Sequence, residues 1–551
     1  MVDPHAPDFQ NTPGSPQRPT FGYAPSDAHA PPAVTIVTPF YNTGPIFHET
    51  ARSVLGQSLQ QWEWLIVNDG SDDPQALAVL DEYRQRDPRI RVVDLGQNRG
   101  LPAARNAGFS QARAPYVLQL DSDDLIEPTA AEVWAWFLES HPEAAFVTGY
   151  TVGFGAEQYL WTDGFHNPGA FLSRNPVSPT AMVRVSAFRA AGGYDEQRRG
   201  GLEDWDFWLR CAASGLWGDT VPLYLDWYRR RETHGDRWEA LRGDGIRRFA
   251  AEARQRYPRL WREGMPHLQY THADPAAPVP AEPSFANLLA APRPRLLIAL
   301  PQFGEPQRPV LELTRALAGQ GFEITVAATT GSDVTLLPAF AQVTPDVFVL
   351  PAFLRPQDRP RFLAYLARSR RAEGLIVAGS VFDALLIPWM RTRLPGVAVL
   401  AYAYEEGGQS AGSASLHAAL GMLSQIDLTL SAGPALRARA VERGAEQARV
   451  AACGPDGDPA HLVRRAQELA RSQPRPILEP GLADYLALCA VEYHRARAEG
   501  ERLEARLAAL ARREPAAIAL LRRAYYWGLD HGMGWLRPAR DRLRRYLVRR
   551  P

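Results

Sequence analysis

Cysteine is scarce, lysine is absent and long apolar runs are missing. The three cysteines, Cys211, Cys453 and Cys489, stand far apart. That spacing excludes a disulfide framework or a cysteine metal cluster and suits a reducing compartment. All 61 basic residues are arginine, which bears on the base composition of the gene rather than on mechanism. They are matched by 61 acids, so net charge is zero and the whole chain carries no nucleic-acid signature. No apolar run reaches the roughly 20 residues that span a bilayer. The best candidate, 375–390, is broken by Asp383 and Pro388 and reads as strand plus helix of a buried core. The start of the chain lacks a basic region followed by an apolar one, so no secretory signal is expected. A cytoplasmic protein is the expectation.

What is present is a long, ordinary globular composition. At 551 residues the chain is too long for one core, and 46% hydrophobic with 22% charged is usual for a globular protein. Residues 1–32 are rich in Pro, Ala, Asp and Ser without periodicity and read as a disordered tail. From Val34 the pattern changes. Short β-branched runs at 34–38, 62–67, 90–94 and 116–120 alternate with helical segments near 45–57, 74–86, 101–112 and 128–139. Such alternation predicts a mostly parallel sheet covered on both faces. This first α/β domain is assigned to 33–263. A Pro- and Ala-rich stretch, 264–293, reads as a linker. A second α/β pattern fills 294–472, with strands expected at 295–300, 323–326, 347–350, 374–377, 397–402 and 428–431. Residues 482–551 read as a helical, Arg-rich C-terminal region, with helical spacing over 482–513.

Four polar segments end the first four expected strands. They are Thr38-Pro39-Phe40-Tyr41-Asn42, Asn68-Asp69-Gly70-Ser71-Asp72-Asp73, the run from Asn98 to Gly108 containing Arg105, and Asp121-Ser122-Asp123-Asp124. Each alone is most often a turn, and Asp124 alone could cap a helix starting near Pro128. In register they share the carboxyl edge of one sheet, where open α/β sheets bind ligands. Two carboxylates flanking one small residue, Asp121 and Asp123, can share a hard divalent cation with a diphosphate.

With Gly192-Gly193-Tyr194-Asp195-Glu196 and Glu203-Asp204-Trp205-Asp206-Phe207-Trp208-Leu209-Arg210 added, residues 34–240 resemble inverting glycosyltransferases of family 2, which have the GT-A fold. The resemblance implies roles for matching positions. Pro39, Tyr41 and Asn42 would line a nucleotide pocket. Asp69 would accept a hydrogen bond from the base, usually uracil, and Arg105 would lie near base and phosphates. Asp121 would face ribose and sugar, and Asp123 would be the principal ligand of Mn²⁺ or Mg²⁺. Asp204, before Glu203 as the alternative, would be the base that takes the acceptor proton. Asp206 reads as structural. His234, after Tyr228-Arg229-Arg230-Arg231, is a candidate to close on diphosphate or metal. Trp161, Trp205 and Trp208 could offer a sugar aromatic faces, although aromatics in such a fold are more often core.

The segments Pro301-Gln302-Phe303-Gly304-Glu305-Pro306, Glu405-Glu406-Gly407-Gly408 and Ser431-Ala432-Gly433-Pro434 loosely resemble the acceptor-side half of GT-B glycosyltransferases of family 4. The donor-binding half is absent, so this domain is expected to bind glycan or to be structural. The basic, aromatic tail 514–551 could lie on an anionic membrane surface, as a peripheral contact on the inner face of the plasma membrane. The resulting expectation is a metal-dependent enzyme moving sugar from a nucleotide-sugar donor to a glycan or lipid-linked glycan acceptor in surface polysaccharide assembly. A non-catalytic glycan-binding scaffold is the alternative. A nucleotidyltransferase would need a phosphate loop that Pro39-Phe40-Tyr41-Asn42 does not resemble.

Overall fold

The computed structural model describes residues 7–16, 18, 30–231, 244–270, 280, 283, 285–291, 293–379, 381–404, 422–442, 444–453 and 458–511. His234, Glu405-Glu406-Gly407-Gly408 and the tail 514–551 lie outside them. The chain divides into two compact units, Met1–Ala490 and Val491–Pro551. In the second unit, 491–511 is helical, the last part of the helix Pro480–Ala511. Among the described residues no helix is long and apolar enough to cross a membrane.

The first unit holds two sheets. The first contains β1 (Val34–Phe40), β2 (Trp62–Asn68), β3 (Ile90–Asp94), β4 (Tyr116–Gln119), β5 (Leu125–Ile126), β6 (Phe146–Gly155), β7 (Tyr159–Trp161), β8 (Ala181–Arg184) and β9 (Asp219–Arg230). Its order is β3-β2-β1-β4-β8-β6-β9-β5, with β7 beside β6. β3, β2, β1 and β4 run parallel, with Val34 opposite both Trp62 and Tyr116. β8 reverses direction beside β4. Every residue of β1 and β2 is buried, as strands covered on both faces require. The helices α1 (Phe47–Leu55), α2 (Pro74–Arg86) and α3 (Leu101–Gln111) supply the crossovers. α3 lies so close to β1 that a Cβ on Gly108 would stand 2.2 Å from Val37 Cγ1. Only glycine allows that approach, which brings Arg105 of α3 to the edge of the sheet.

The second sheet has seven strands, all parallel: β10 (Arg295–Leu300), β11 (Glu323–Ala328), β12 (Val347–Val349), β13 (Gly374–Ala378), β14 (Ala398–Ala403), β15 (Leu428–Ser431) and β16 (Val450–Ala452). Its order is β12-β11-β10-β13-β14-β15-β16. The expected α/β class therefore holds for both domains.

α4 (Ala130–Ser140) joins them. It is buried on nearly every side, with Glu132 at 0% exposure. Trp136 packs against Phe362 and Tyr365 of the second domain, at 4.8 and 4.9 Å between ring centres. Glu132 accepts from both amino groups of Arg370, at 2.7 and 2.6 Å, and from Tyr365 Oη and Ser58 Oγ, each at 2.6 Å. Part of the expected linker is pinned in the same seam. Asn287 bonds Gln60 N and Ser58 O, and Leu289 N donates to Ser369 O.

Two residues within the described part of the expected disordered tail make contacts with the first domain. Phe9 packs edge-on against Trp227 at 6.5 Å, and Arg18 pairs with Glu127. Contacts made by one aromatic and one arginine leave no periodic signal in sequence.

Candidate active site

The carboxyl ends of β1, β2 and β4 lie side by side, and the strand order reverses between β1 and β4. That switch point opens a crevice. It holds a cavity of about 440 Å³, within the usual size of ligand sites. Pro39, Tyr41, Asp69, Arg105, Asp121, Asp123, Glu203 and Asp204 all line it, from five separate stretches of sequence.

The acidic loop after β4 is held from several sides. Thr43 Oγ1 and Ser122 Oγ share a hydrogen bond of 2.6 Å, and Thr50 Oγ1 donates to Ser122 O. Arg229, at the end of β9, donates its backbone N–H to Asp124 Oδ1 and its Nε to Asp123 O. Asp124 is therefore bound to β9 and does not cap the following helix. Arg231 pairs with Asp123 Oδ2 at 2.6 Å. Burial, then Asp123 and Asp121, drive the Asp124 carboxyl well above the ordinary range. Burial also raises that of Asp123, with Arg231 opposing and Asp121 adding to the rise.

A divalent cation would relieve this crowding of carboxylates. Asp124 Oδ2 is buried and has no hydrogen-bond partner among the described residues. Of the three carboxylates, Asp121 pairs with Arg105 and Asp123 with Arg231, while Asp124 accepts a backbone N–H from Arg229, whose guanidinium pairs with Glu49. Hard oxygen donors of this kind fit Mg²⁺ or Mn²⁺. Among the described residues no group of three or more ligating side chains gathers round one point. The protein would thus hold a cation through Asp123 and leave most of the shell to phosphate and water, as Mg²⁺ commonly requires.

Arg105 is expected beside base and phosphates, but its amino groups are occupied. Nη2 donates to Asp121 Oδ1 and Nη1 to Glu203 Oε1, each at 2.8 Å. The side chain is 1% exposed on the cavity floor. Burial opposes its charge, and Asp121, Tyr194 and Glu203 more than offset burial. Asp69 is likewise engaged. Its two oxygens accept the backbone N–H groups of Arg99 and Gly100 at 2.7 and 2.9 Å, at the entry to α3.

Asn42 does not line the cavity. Its backbone is left-handed, φ +49°. Its side chain donates to Asp72 Oδ1 and accepts from the backbone of Asp72 and Asp73. Asn tolerates this conformation and can tie two loops together, which is its role here.

Across the cavity α6 (Glu203–Ala213) begins. Leu202, just before it, adopts φ +63°, a strained value for a branched side chain. Glu203 is buried against Arg105. Asp204 is more open, with Oδ1 accepting Trp205 N at 2.8 Å and Oδ2 accepting Asn175 Nδ2 at 2.7 Å. Burial first, and Glu203 second, push its carboxyl up to about 7. Asp206 is structural as expected, in a cluster with Arg210, Arg256 and Tyr257. Trp205 and Trp208 belong to the core, whereas Trp161 lines the cavity.

Sequence reasoning passed over Arg229, Arg231 and Asn175. The two arginines stand in the basic run that pointed to His234. Asn175 lies in an irregular loop, and only the fold brings it to Asp204.

A family model described as glycosyl transferase family 2 matches residues 35–191. The chain is 32% identical over 207 residues to the putative glycosyltransferase EpsE of Bacillus subtilis, a match covering 36% of this chain and 73% of that protein. It is 38% identical over 121 residues to the putative teichuronic acid biosynthesis glycosyltransferase TuaG of the same organism, covering 22% and 48%. The crystal structure of S. aureus TarS 1-349 in complex with UDP-GlcNAc is 20% identical, with TM-score 0.34, over 40% of this chain and 66% of that one. The chain spans only part of the curated relatives it matches, 73% of EpsE but 48% of TuaG and 17% of the O-antigen biosynthesis protein RfbC of Myxococcus xanthus.

Proposed function

The chain belongs to glycosyl transferase family 2, and from that premise we propose that it transfers a sugar from a uridine diphosphate sugar to a hydroxyl of a glycan or glycolipid, with inversion. The acceptor would belong to bacterial surface polysaccharide assembly, in keeping with the printed description of TuaG. One observation carries the reading. Asp121 and Asp123 line one cavity together with Asp204, which stands on a different element and carries a carboxyl pushed up to about 7.

The chemistry follows from that layout. Asp69, Tyr41 and Pro39, which line the cavity, would hold the nucleoside. A cation on Asp123 would neutralise charge on the departing diphosphate. Arg105 ties Asp121 and Glu203 together on the cavity floor beside Asp204. In a single displacement the acceptor oxygen bonds to the anomeric carbon. The bond from that carbon to the phosphate oxygen breaks, and its electron pair leaves with the nucleoside diphosphate. The hydroxyl proton passes to Asp204, which must be ionised to take it.

Calorimetric binding of UDP, GDP, CDP and dTDP, each with and without Mn²⁺, tests the reading. UDP should bind, and should bind more tightly with Mn²⁺. Asp123→Ala should remove the metal-dependent part. Binding of none of the four would refute the transferase reading and leave a scaffold role.

A further inference from the structure

Asn175 is buried, 7% exposed, and lines the cavity beside Asp204. Its Nδ2 donates to Asp204 Oδ2 at 2.7 Å. An ionised carboxylate only accepts hydrogen bonds, so this contact fixes which end of the amide faces Asp204. The other end, Oδ1, is buried and has no hydrogen-bond partner among the described residues. An unsatisfied buried carbonyl is unfavourable. The residue therefore gives up stability to present its N–H to the carboxylate.

The loop carrying it is held by other contacts. Trp205 Nε1 donates to Phe171 O at 2.8 Å on one side, and Ser178 Oγ donates to Asp226 Oδ2 at 2.8 Å on the other. Neither anchor involves the Asn175 side chain. The amide is thus not needed to build the loop.

We propose that Asn175 is the positioning residue of the proposed transfer, holding the Asp204 carboxylate in the orientation from which it accepts the acceptor proton. The inference rests on the glycosyltransferase reading above. The groups facing Asp204 are Glu203 on its own helix, Arg105 from α3, Asp121 after β4 and Tyr194. Burial and the two acids favour its protonated form and Arg105 opposes them. A hydrogen bond donated to the charged form works with Arg105. Asn175 thereby keeps the base both aimed and ionised.

The test compares wild type with Asn175→Ala and Asn175→Asp. UDP binding with Mn²⁺ is read by calorimetry, turnover as nucleoside diphosphate released from a panel of sugar nucleotides, and stability by thermal melting. Asn175→Ala should bind UDP as wild type does and lose about 10- to 100-fold in kcat, with KM for donor little changed. The midpoint of its pH–rate limb should move up by about half a unit or more. Its Tm should be unchanged or higher, since an unsatisfied carbonyl has gone. Asn175→Asp keeps the shape but sets a second carboxylate against the first, and should move the midpoint further up. An unmoved midpoint with kcat retained, or a lower Tm with kcat lost and the midpoint unmoved, would overturn the proposal while leaving the transferase reading intact. A wild-type chain that neither binds UDP nor turns over any donor would overturn both.

Discussion

Adjacent in sequence, Glu203 and Asp204 divide two jobs by burial and partner. Glu203 is spent on Arg105 at 2.8 Å and faces the floor. Asp204 keeps lone pairs toward the cavity and is held by one backbone and one side-chain donor. Asp204→Asn keeps that shape but cannot take a proton. It should leave UDP affinity near wild type and lower kcat by about 10²- to 10⁴-fold. Unchanged turnover would remove Asp204 as the base. The pH profile follows with a definite sign. A base with its carboxyl pushed up to about 7 is protonated below that pH, so wild-type turnover should fall as pH drops through about 7. A free carboxyl would hold activity down to about 4. An inflection near 4 would mean that bound substrate reverses the shift. Asp121, Asp123 and Asp204 were legible because their signal is local and ordered along the chain. Asn175 was not, because its meaning lies in a contact 29 residues distant.

Among the elements, β9 shows how sheet and site are coupled. Its buried Asp226 accepts from Thr151 Oγ1 at 3.1 Å and Ser178 Oγ at 2.8 Å, and burial pushes its carboxyl up to about 7. Here the folded state binds the proton more tightly than the unfolded chain does. The contribution to stability is therefore full below about pH 4 and is lost as pH rises through about 7. Asp226→Asn removes this dependence. In urea unfolding it should gain on wild type by roughly 2–4 kcal/mol more at pH 8 than at pH 4. An equal difference at the two pH values would show that Asp226 does not titrate in this range. Elements of this kind were read unevenly from sequence. β3, β10 and β15 fall where their β-branched or apolar runs end in turns. The mixed part, β5 to β9, with β6 and β9 parallel and the other pairs antiparallel, was harder. β5 has two residues, and β6 and β9 pair across register shifts that break any simple alternation. α4 read as an ordinary helix, yet it is covered on two sides because it lies between domains.

The whole first unit turns on that helix. A Pro- and Ala-rich stretch between two α/β patterns suggests two bodies on a tether, but Asn287 and Leu289 within it are bonded into the seam. At the centre of the seam, Arg370 is 1% exposed between Glu132 and Asp346 and holds both carboxylates. No periodicity reveals such a pairing, since its partners lie 238 residues apart. Buried ion pairs add little net stability, but losing one partner is costly. Glu132→Ala would leave Arg370 with Asp346 as its one carboxylate among the described residues, and strip Tyr365 and Ser58 of their acceptor. The loss should be about 3–5 kcal/mol, in the range for a broken buried pair. Because Glu132 belongs to the first domain and Arg370 to the second, the damage falls on the joint between them. Wild type should unfold in urea with both sheets in one transition. Glu132→Ala should lower the midpoint and separate two transitions. UDP binding should persist through the first of these if the second domain unfolds first, since among the described residues none lining the cavity comes from it. A variant that unfolds at the wild-type midpoint in a single step would show that the apolar contacts of Trp136, Phe362 and Tyr365 hold the joint without the ion pair.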